Sequence, residues 1–265
     1  MSNFNPMKIR LTCYNEVMKY LIIFIFLWIL PITSSALYGI NNPALVAGDK
    51  STYETRLKES GKLAGSSERE VQKARYAGRD YFVVKTIGQA EINNGDKLTS
   101  LTTSYYQINS DGSINVYSHE GESKKNGQPF SYVKITFDWP SRVAGLLFEN
   151  LDKKQTKTKT IELTDNTVYT SDLAPYLQAC VQNKRQAGKL KLIIPTGDTY
   201  NMIFQIKSDS DNSFRVDLKP DLGLLSGIIP SITFWFQGEA PHHFIRYEGP
   251  QGGPFSPIVV EKKIK

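Results

Sequence analysis

The nine residues 131–139, SYVKITFDW, decide the fold class of this chain of 265 residues. Apolar and polar side chains alternate along them one by one: Val133, Ile135, Phe137 and Trp139 against Lys134, Thr136 and Asp138. Successive side chains of a β-strand point to opposite faces, so this pattern predicts a strand with one buried and one solvated face. Such a strand is typical of an antiparallel sheet, since parallel strands are usually buried on both faces.

The same period of two extends to both sides of this stretch. It recurs in NMIFQIK, residues 201–207, and in SFRVDLK, residues 213–219. Residues 102–121 combine two β-rich runs with a polar turn, Asn109 to Gly112, which predicts a hairpin. We therefore expect a mainly β protein, a curved antiparallel sheet or open β-barrel of about eight to ten strands.

One segment, about 171–187, has a helical period instead. Its apolar residues follow the i, i+3, i+4, i+7, i+8 spacing of one helix face: Leu173, Tyr176, Leu177, Cys180 and Val181. Ser171 or Asp172 is expected to cap its start, and Gly188 is expected to end it. The sequence predicts one amphipathic helix packed on the apolar face of the sheet.

The N-terminus has the organisation of a secretory signal. Lys19 precedes an apolar run at 21–30 and then small residues, a run too short for a membrane-spanning helix of about 20 residues. We predict a signal peptide at 1–36, cleaved between Ala36 and Leu37, with Met1 or Met18 as the start. An uncleaved anchor is the alternative, and Pro31 argues against it. Cleavage implies a periplasmic protein without a transmembrane segment.

The remaining chain is expected to contain a polar tether or peripheral strand at 37–70 and a single β-rich domain at 71–265. Residues 66–78 fit a short helix or a strand about equally. Cys180 is the single cysteine after residue 36, so an intramolecular disulfide is excluded for the mature chain. A domain of this size can be stable without one.

Charge and motifs exclude several classes of function. The net charge of +6 is spread over mixed polar segments without a basic, aromatic face, so we expect no nucleic-acid binding. No P-loop, G-x-G-x-x-G or G-x-S-x-G motif occurs, and no cofactor or catalytic residue is assigned. His242 and His243 are adjacent on an expected strand and would point to opposite faces, which argues against a shared metal ion.

Several segments together resemble a known exported bacterial family. They are GRDYFVVKTIGQ, the SYYQINSDGS hairpin, ITFDW, the helix opening TDNTVYTSDLAPYLQ and the closing ITFWFQGEAPHHFIRYEG. Over roughly 78–260 the chain is similar to the family named domain of unknown function 3108. Asp172, Leu173, Ala174 and Tyr176 match its D-x-L-S-A-x-Y helix with two residues fewer. The resemblance implies a β-rich fold in the cell envelope and carries no catalytic residues.

Three functions are compatible with these features. The first is a non-enzymatic binding or carrier protein for an apolar or lipid-like envelope component, whose expected lining residues are Trp139, Leu173, Tyr176, Leu177, Phe234 and Phe236. The second is an assembly factor that docks on an envelope protein through an exposed strand edge or the Pro/Gly-rich loop 249–257. The third is a hydrolase of envelope glycan or ester, with His119 or His242 as base; it requires that histidine to contact a carboxylate and a nucleophile.

Overall fold

The computed structural model describes residues 45–92, 95–110, 114–209, 212–223, 231–250 and 257–265. The expected signal peptide at 1–36, its cleavage site at Ala36 and Leu37, and most of the loop 249–257 lie outside the described residues.

The described chain forms fifteen strands, one short 3-10 turn at Thr170–Asp172 and one α-helix, α1, at Leu173–Gln182. The strands are β1 Lys50–Leu57, β2 Leu63–Tyr76, β3 Arg79–Ile92, β4 Asp96–Ile108, β5 Ile114–Lys125, β6 Gln128–Asp138, β7 Val143–Asn150, β8 Gln155–Glu162, β9 Thr167–Tyr169, β10 Ala187–Ile193, β11 Thr199–Asp209, β12 Ser213–Pro220, β13 Ile232–Gln237, β14 Phe244–Pro250 and β15 Ile258–Lys263.

All fifteen strands belong to one sheet. Strands β1 to β8 follow one another on one side, β15 back to β9 follow on the other side, and β1 pairs with β15 between them. Every described pair is antiparallel except β9 with β10, and these two are parallel because α1 lies between them in the chain. The two ends of the domain are thus neighbours, whereas β8 and β9 are the edge strands.

The link between the two edge strands forces the sheet to curl. Only residues 163–166 separate Glu162, the end of β8, from Thr167, the start of β9. A flat sheet of this size would be about 67 Å wide at a strand spacing of roughly 4.8 Å. The link spans at most about 18 Å when fully extended. The two edges must therefore lie close together.

Contacts across the two edges agree with this closure. Lys159 of β8 places its Nζ 2.5 Å from Oδ1 of Asp198, in the turn between β10 and β11. Lys191 of β10 donates from Nζ to the carbonyl of Glu162 at 3.0 Å. In the same turn Gly197 has φ +77°, and an added Cβ would lie 2.8 Å from Cδ of Lys159. The turn and β8 are thus in close contact.

The curled sheet encloses α1. All residues of the helix from Leu173 to Val181 are buried. Tyr176 meets the ring of Phe204 on β11 edge to face, and Gln178 donates to the carbonyl of Pro241 at 2.7 Å. The helix is therefore surrounded by protein rather than laid on one face. None of the described helices is long and apolar enough to cross a membrane.

The predicted fold class is confirmed, with a higher strand count. Residues 131–139 lie in or next to β6, where Val133, Ile135 and Phe137 are buried as the alternation predicts. The structure has fifteen strands rather than eight to ten because the long polar runs also form strands. Residues 66–76 belong to β2, and β1, at 50–57, lies between β15 and β2.

The helix also differs from its prediction in length and environment. It ends at Gln182, and β10 already begins at Ala187, before the expected stop at Gly188. Its polar Gln178 is fully buried, so the helix is not solvated on its second face as an amphipathic helix would be. Gln178 is buried because the sheet surrounds the helix.

The inner face of β1 to β5 is unusual in its polarity. Short polar side chains point inward there and are buried: Ser51, Thr55, Ser67, Thr86, Ser100, Thr102, Ser104 and Ser123. On the other side of the sheet the inward residues are mainly large and apolar, among them Phe204, Leu218, Phe234 and Phe236. The enclosed interior thus has an apolar half and a hydroxyl-rich half, in which the short polar side chains lie beside large ones such as Tyr53, Val71 and Leu98.

We expect Leu177→Ala to lower the free energy of unfolding by about 2–5 kcal/mol, because it leaves a cavity beside a fully buried helix residue. Urea denaturation followed by circular dichroism measures the change. The matched control is Leu101→Ala, whose side chain is 38% exposed on β4 and should cost less than about 1 kcal/mol. Equal losses would contradict an enclosed helix.

Glu261 predicts a pH dependence of stability. Burial raises the pKa of this carboxyl well above its usual value, against a smaller lowering by the Ser67 hydroxyl. The folded state therefore keeps a proton that the unfolded state loses near pH 4.5, and the stability it contributes is lost as pH rises through the folded pKa. Between pH 4.5 and the folded-state pKa of Glu261, the free energy of unfolding of Glu261→Gln should therefore rise relative to that of the wild type. The expected increase is about 1.4 kcal/mol per pH unit.

The measurement is a series of urea denaturations of both proteins between pH 4 and pH 8. Using the difference between the two proteins cancels the titration of all other groups. A difference that is constant with pH would show that Glu261 is not a buried, protonated acid.

Candidate functional site

A buried polar cluster surrounds His119 in the interior of the curled sheet. His119 lies on β5, and its Nε2 is 2.8 Å from Oδ2 of Asp172, at the start of α1. Its Nδ1 is 2.7 Å from Oγ of Ser104 on β4 and 3.2 Å from Oγ of Ser171. The tautomer with hydrogen on Nε2 donates to the Asp172 carboxylate and lets Nδ1 accept from Ser104, the nearer of the two hydroxyls.

Asp172 connects this cluster to a third strand residue, Tyr106. The hydroxyl of Tyr106, on β4, donates to Oδ1 of Asp172 at 3.0 Å. Burial, followed by the charge of Asp172, raises the pKa of Tyr106 well above its usual value, so this tyrosine stays a donor. The carboxylate of Asp172 makes no capping hydrogen bond to the backbone of α1. The expectation that it caps the helix is thus wrong, because its two oxygens bind His119 and Tyr106 instead.

The cluster contains the contacts that the hydrolase hypothesis requires, but it is closed to solvent. His119 is 1% exposed, Asp172 0%, Ser104 5% and Ser171 6%. The ring of Tyr169 stacks on His119 at 5.0 Å, and Phe137 packs edge-on at 5.9 Å. A substrate carbonyl therefore has no path to Ser104 in this conformation. The geometry is that of a structural network between α1 and the sheet.

The two adjacent histidines lie in a turn rather than on a strand. His242 has φ +56° and follows Pro241, while β14 begins only at Phe244. Its Nδ1 is 2.9 Å from the carbonyl oxygen of Gln237. The expected strand position of His242 and His243 is thus wrong. Within the described parts of the chain, no group of three or more His, Cys, Asp or Glu residues could hold a metal ion.

A cleft of about 1080 Å³ lies where β3 and β5 begin and β4 and β6 end. Its walls combine aromatic and apolar groups with amides and charges: Trp139, Tyr117, Ile108, Gln107, Asn109, Asn115, Arg79 and Asp80. Trp139 stacks on Phe137 at 5.8 Å and donates from its indole nitrogen to the carbonyl of Val116 at 2.8 Å. The ring is therefore held rigidly at the edge of the cleft.

Phe137 joins the cleft to the His119 cluster. One face of its ring stacks on Trp139, and it meets the ring of His119 edge to face. Three rings thus form a continuous row from the cleft to the start of α1. A group bound against Trp139 would be two side chains away from the contact that fixes the helix.

The predicted lining residues fall into two groups. Trp139 lies on the wall of the cleft and is partly buried. The other five are at most 1% exposed within the hydrophobic core: Leu173, Tyr176, Leu177, Phe234 and Phe236. All five belong to one hydrophobic core cluster, in which Phe234 and Phe236 stack at 6.5 Å.

Cys180 belongs to the same core. Burial raises the pKa of its thiol to about 11. The thiol therefore stays protonated and unreactive near neutral pH.

Sequence reasoning missed the pairing of His119 with Asp172. The two residues are 53 positions apart, and the sequence pattern favours Ser171 or Asp172 as a helix cap. The available signal was the strand alternation, which places Ser104 and Tyr106 on one face of β4. It does not reveal which element packs against that face.

Comparison with known proteins supports the fold alone. The chain is similar to a crystal structure of a beta-barrel-like protein of domain of unknown function DUF1849 from Brucella abortus, with a TM-score of 0.51 and 9% identity, covering 82% of this chain and 95% of that one. A second structure, a candidate lipoprotein from Parabacteroides distasonis, gives a TM-score of 0.25 at 8% identity, over 88% and 97% of the two chains. No family model matches the chain. No curated protein matches it either.

The β-rich fold implied by the sequence resemblance is therefore supported. Membership of the family named domain of unknown function 3108 stays a prediction.

Removing the Asp172 carboxylate should destabilise the protein strongly. Asp172→Ala leaves the buried Tyr106 hydroxyl and one His119 nitrogen without their partner, at about 1–3 kcal/mol each. We expect a loss of about 2–6 kcal/mol in the free energy of unfolding by urea denaturation. Asp165→Ala is the control, since Asp165 pairs with Arg142 while 84% exposed and should cost under about 1 kcal/mol. A similar loss in both variants would refute the structural role of Asp172.

Proposed function

We propose that this protein is an exported, non-enzymatic binding protein of the cell envelope, whose ligand is an amphipathic component with an apolar part. The secretory signal expected at 1–36 supports export to the periplasm. The fold supports a scaffold role, because a rigid sheet that is stable without a disulfide can present a site at its strand ends.

One observation carries the proposal, the cleft of about 1080 Å³ beside Trp139. Ligand sites in proteins are commonly concave, with volumes of roughly 300–1,000 Å³, apolar or aromatic walls and a few polar groups. Trp139 and Ile108 supply the apolar wall here, and the amides of Gln107, Asn109 and Asn115 supply hydrogen-bonding groups. An apolar chain against the indole, with its polar end among the amides, fits this combination.

The proposal places the ligand at Trp139 and leaves the other five expected lining residues as core. Leu173, Tyr176 and Leu177 are at most 1% exposed, and Tyr176 meets the ring of Phe204 on β11. An acyl chain among them would have to displace close-packed side chains, which costs several kcal/mol. Binding in the preformed cleft avoids that cost.

The Ser104–His119–Asp172 contacts favour an ester hydrolase as a second candidate. Ser104 would be the nucleophile and His119 the base, since the distance between them is 2.7 Å. We give this candidate second place because all three side chains are 5% exposed or less. A serine-reactive fluorophosphonate is therefore expected to leave Ser104 unlabelled, and labelling would reverse the order of the two candidates.

The ligand should remain bound when the protein is purified from a periplasmic extract without detergent. Native mass spectrometry of the exported chain is expected to show one apolar adduct, which organic extraction then identifies. Trp139→Ala should lower its affinity at least about tenfold, or 1.4 kcal/mol, because a large part of the apolar wall is lost.

Trp235 offers a matched control. It lies outside the cleft on β13, where Arg246 packs over its ring at 3.9 Å, so Trp235→Ala should keep the adduct. Trp235→Phe leaves Trp139 as the single tryptophan after residue 36, and its fluorescence should change when the extracted component is added back. A bare polypeptide mass for the wild type, with no fluorescence change, would rule out the proposed function.

A further inference from the structure

A second polar group in the interior is not explained by the cleft. Arg69 lies on β2 and its side chain is 0% exposed. Its Nη1 is 3.2 Å from Oδ2 of Asp49, a carboxylate that is itself 37% exposed. Among the described residues, none accepts a hydrogen bond from Nε or Nη2 of Arg69. Two donors of a buried cation are thus left over.

The two free nitrogens have a particular geometry. In the planar guanidinium group, the Nε and Nη2 hydrogens point in parallel along one edge. This edge matches the two oxygens of a carboxylate or two oxygens of a phosphate, and such bidentate pairs are among the strongest hydrogen bonds in proteins. A buried guanidinium with this edge free should be costly, since burying a charge without enough partners is unfavourable.

Arg69 interacts electrostatically with two buried tyrosines, Tyr53 and Tyr106, but the residues in register with it on the neighbouring strands are short. Its register neighbour on β3 is Thr86, and Thr102 follows on β4 and Gly121 on β5. The Thr102 hydroxyl is buried and has no hydrogen-bond partner among the described residues. It lies about 10 Å from Arg69 between Cα atoms, two strand spacings away. The hydroxyl-rich half of the interior therefore places a further donor near the guanidinium and no large apolar side chain in this row.

The described residues include two buried acids, Asp172 and Glu261. The two oxygens of Asp172 are already bound by His119 and Tyr106. Glu261 is in register with Thr55, four residues along β1 from Ser51, the register neighbour of Arg69. Four residues of strand correspond to about 14 Å. Burial, the largest effect, lowers the pKa of Arg69, and Tyr53 and Asp49 only partly oppose it. The loss of hydration at Arg69 is thus only partly compensated, which favours a further anionic partner.

We propose that the Nε–Nη2 edge of Arg69 is an internal binding site for an oxyanion, a carboxylate or a phosphate group. The partly exposed Asp49 marks the side from which the site is closest to solvent. The site is separate from the cleft, because Asp80 on the cleft wall lies six residues along β3 from Thr86, about 20 Å. Its anion is either a free ion or the acidic headgroup of an amphiphile.

Isothermal titration calorimetry of the exported, delipidated protein tests this proposal. The probes are inorganic phosphate and acetate as free anions, sodium dodecanoate as an amphiphile with a carboxylate, and dodecanol as its neutral counterpart. Arg69→Met should weaken binding of the best anionic probe at least about tenfold, or 1.4 kcal/mol. Arg69→Lys should weaken it too, since lysine keeps the charge but lacks the two-donor edge.

Two controls separate this effect from a loss of folding. Arg75→Met alters an arginine on the same strand that is 73% exposed, and it should bind like the wild type. Asp49→Asn keeps Arg69 and removes the carboxylate that competes for it, so anion binding should become about three- to tenfold tighter, or roughly 0.7–1.4 kcal/mol. Near-ultraviolet circular dichroism confirms that each variant is folded.

The outcomes are distinct. Phosphate or acetate binding that depends on Arg69 indicates a free-ion site, and dodecanoate binding without phosphate, acetate or dodecanol binding indicates a headgroup site. Equal binding in the wild type and Arg69→Met, or in the wild type and Asp49→Asn, would overturn the proposal. The native-mass adduct of the wild type and of Trp139→Ala reports on the cleft, whereas the titration of Arg69→Met reports on this site, so failure here is distinguishable from failure of the proposed cleft function.

Discussion

Four residues join the two edge strands of a fifteen-stranded sheet, and this link constrains everything else in the structure. Because residues 163–166 cannot span the width of a flat sheet, β8 and β9 must come together and the sheet must curl into an enclosure. The chain then enters the enclosure directly, since α1 follows β9 after a single 3-10 turn. A helix placed there has no solvated side, which explains why even Gln178 is buried.

The polar residues at the start of α1 are buried, and the His119 cluster provides their hydrogen-bond partners. Asp172, Ser171 and Thr170 are polar and buried at the point where the chain enters the interior, and buried polar groups need partners. His119, Tyr106 and Ser104 supply them from β4 and β5. The resulting contacts resemble a Ser–His–Asp triad because the same donor and acceptor chemistry satisfies a buried carboxylate and a catalytic one. A catalytic triad must be accessible to substrate, whereas a structural network need not be. Here aromatic rings occupy the space that a substrate would need.

The sequence predicts those parts of the structure that depend on local alternation. Residues 131–139 reveal a half-buried strand because each neighbour in the chain faces the opposite side, and this is independent of what the strand packs against. The helix period at Leu173 to Val181 is equally local. The closure of the sheet could not be predicted in this way, because it depends on the number of strands. Polar segments such as 155–162 form strands without the apolar alternation that would reveal them. The pairing of His119 with Asp172 depends in turn on that closure, and no spacing within the chain encodes it.

The divided interior gives a physical reason to look for ligands in this fold. Large side chains such as Phe204 and Phe234 fill the apolar half, whereas the half around Arg69 has short residues and donors that the described chain does not satisfy. Selection for stability alone would replace such a group, because an apolar residue of similar size is usually neutral or stabilising at a buried charged position. Locally unfavourable features are expected where a site serves binding, and the stability they cost is provided by the rest of the core. The apolar half and the His119 cluster supply that stability, which allows the hydroxyl-rich half to retain a buried cation with a free edge.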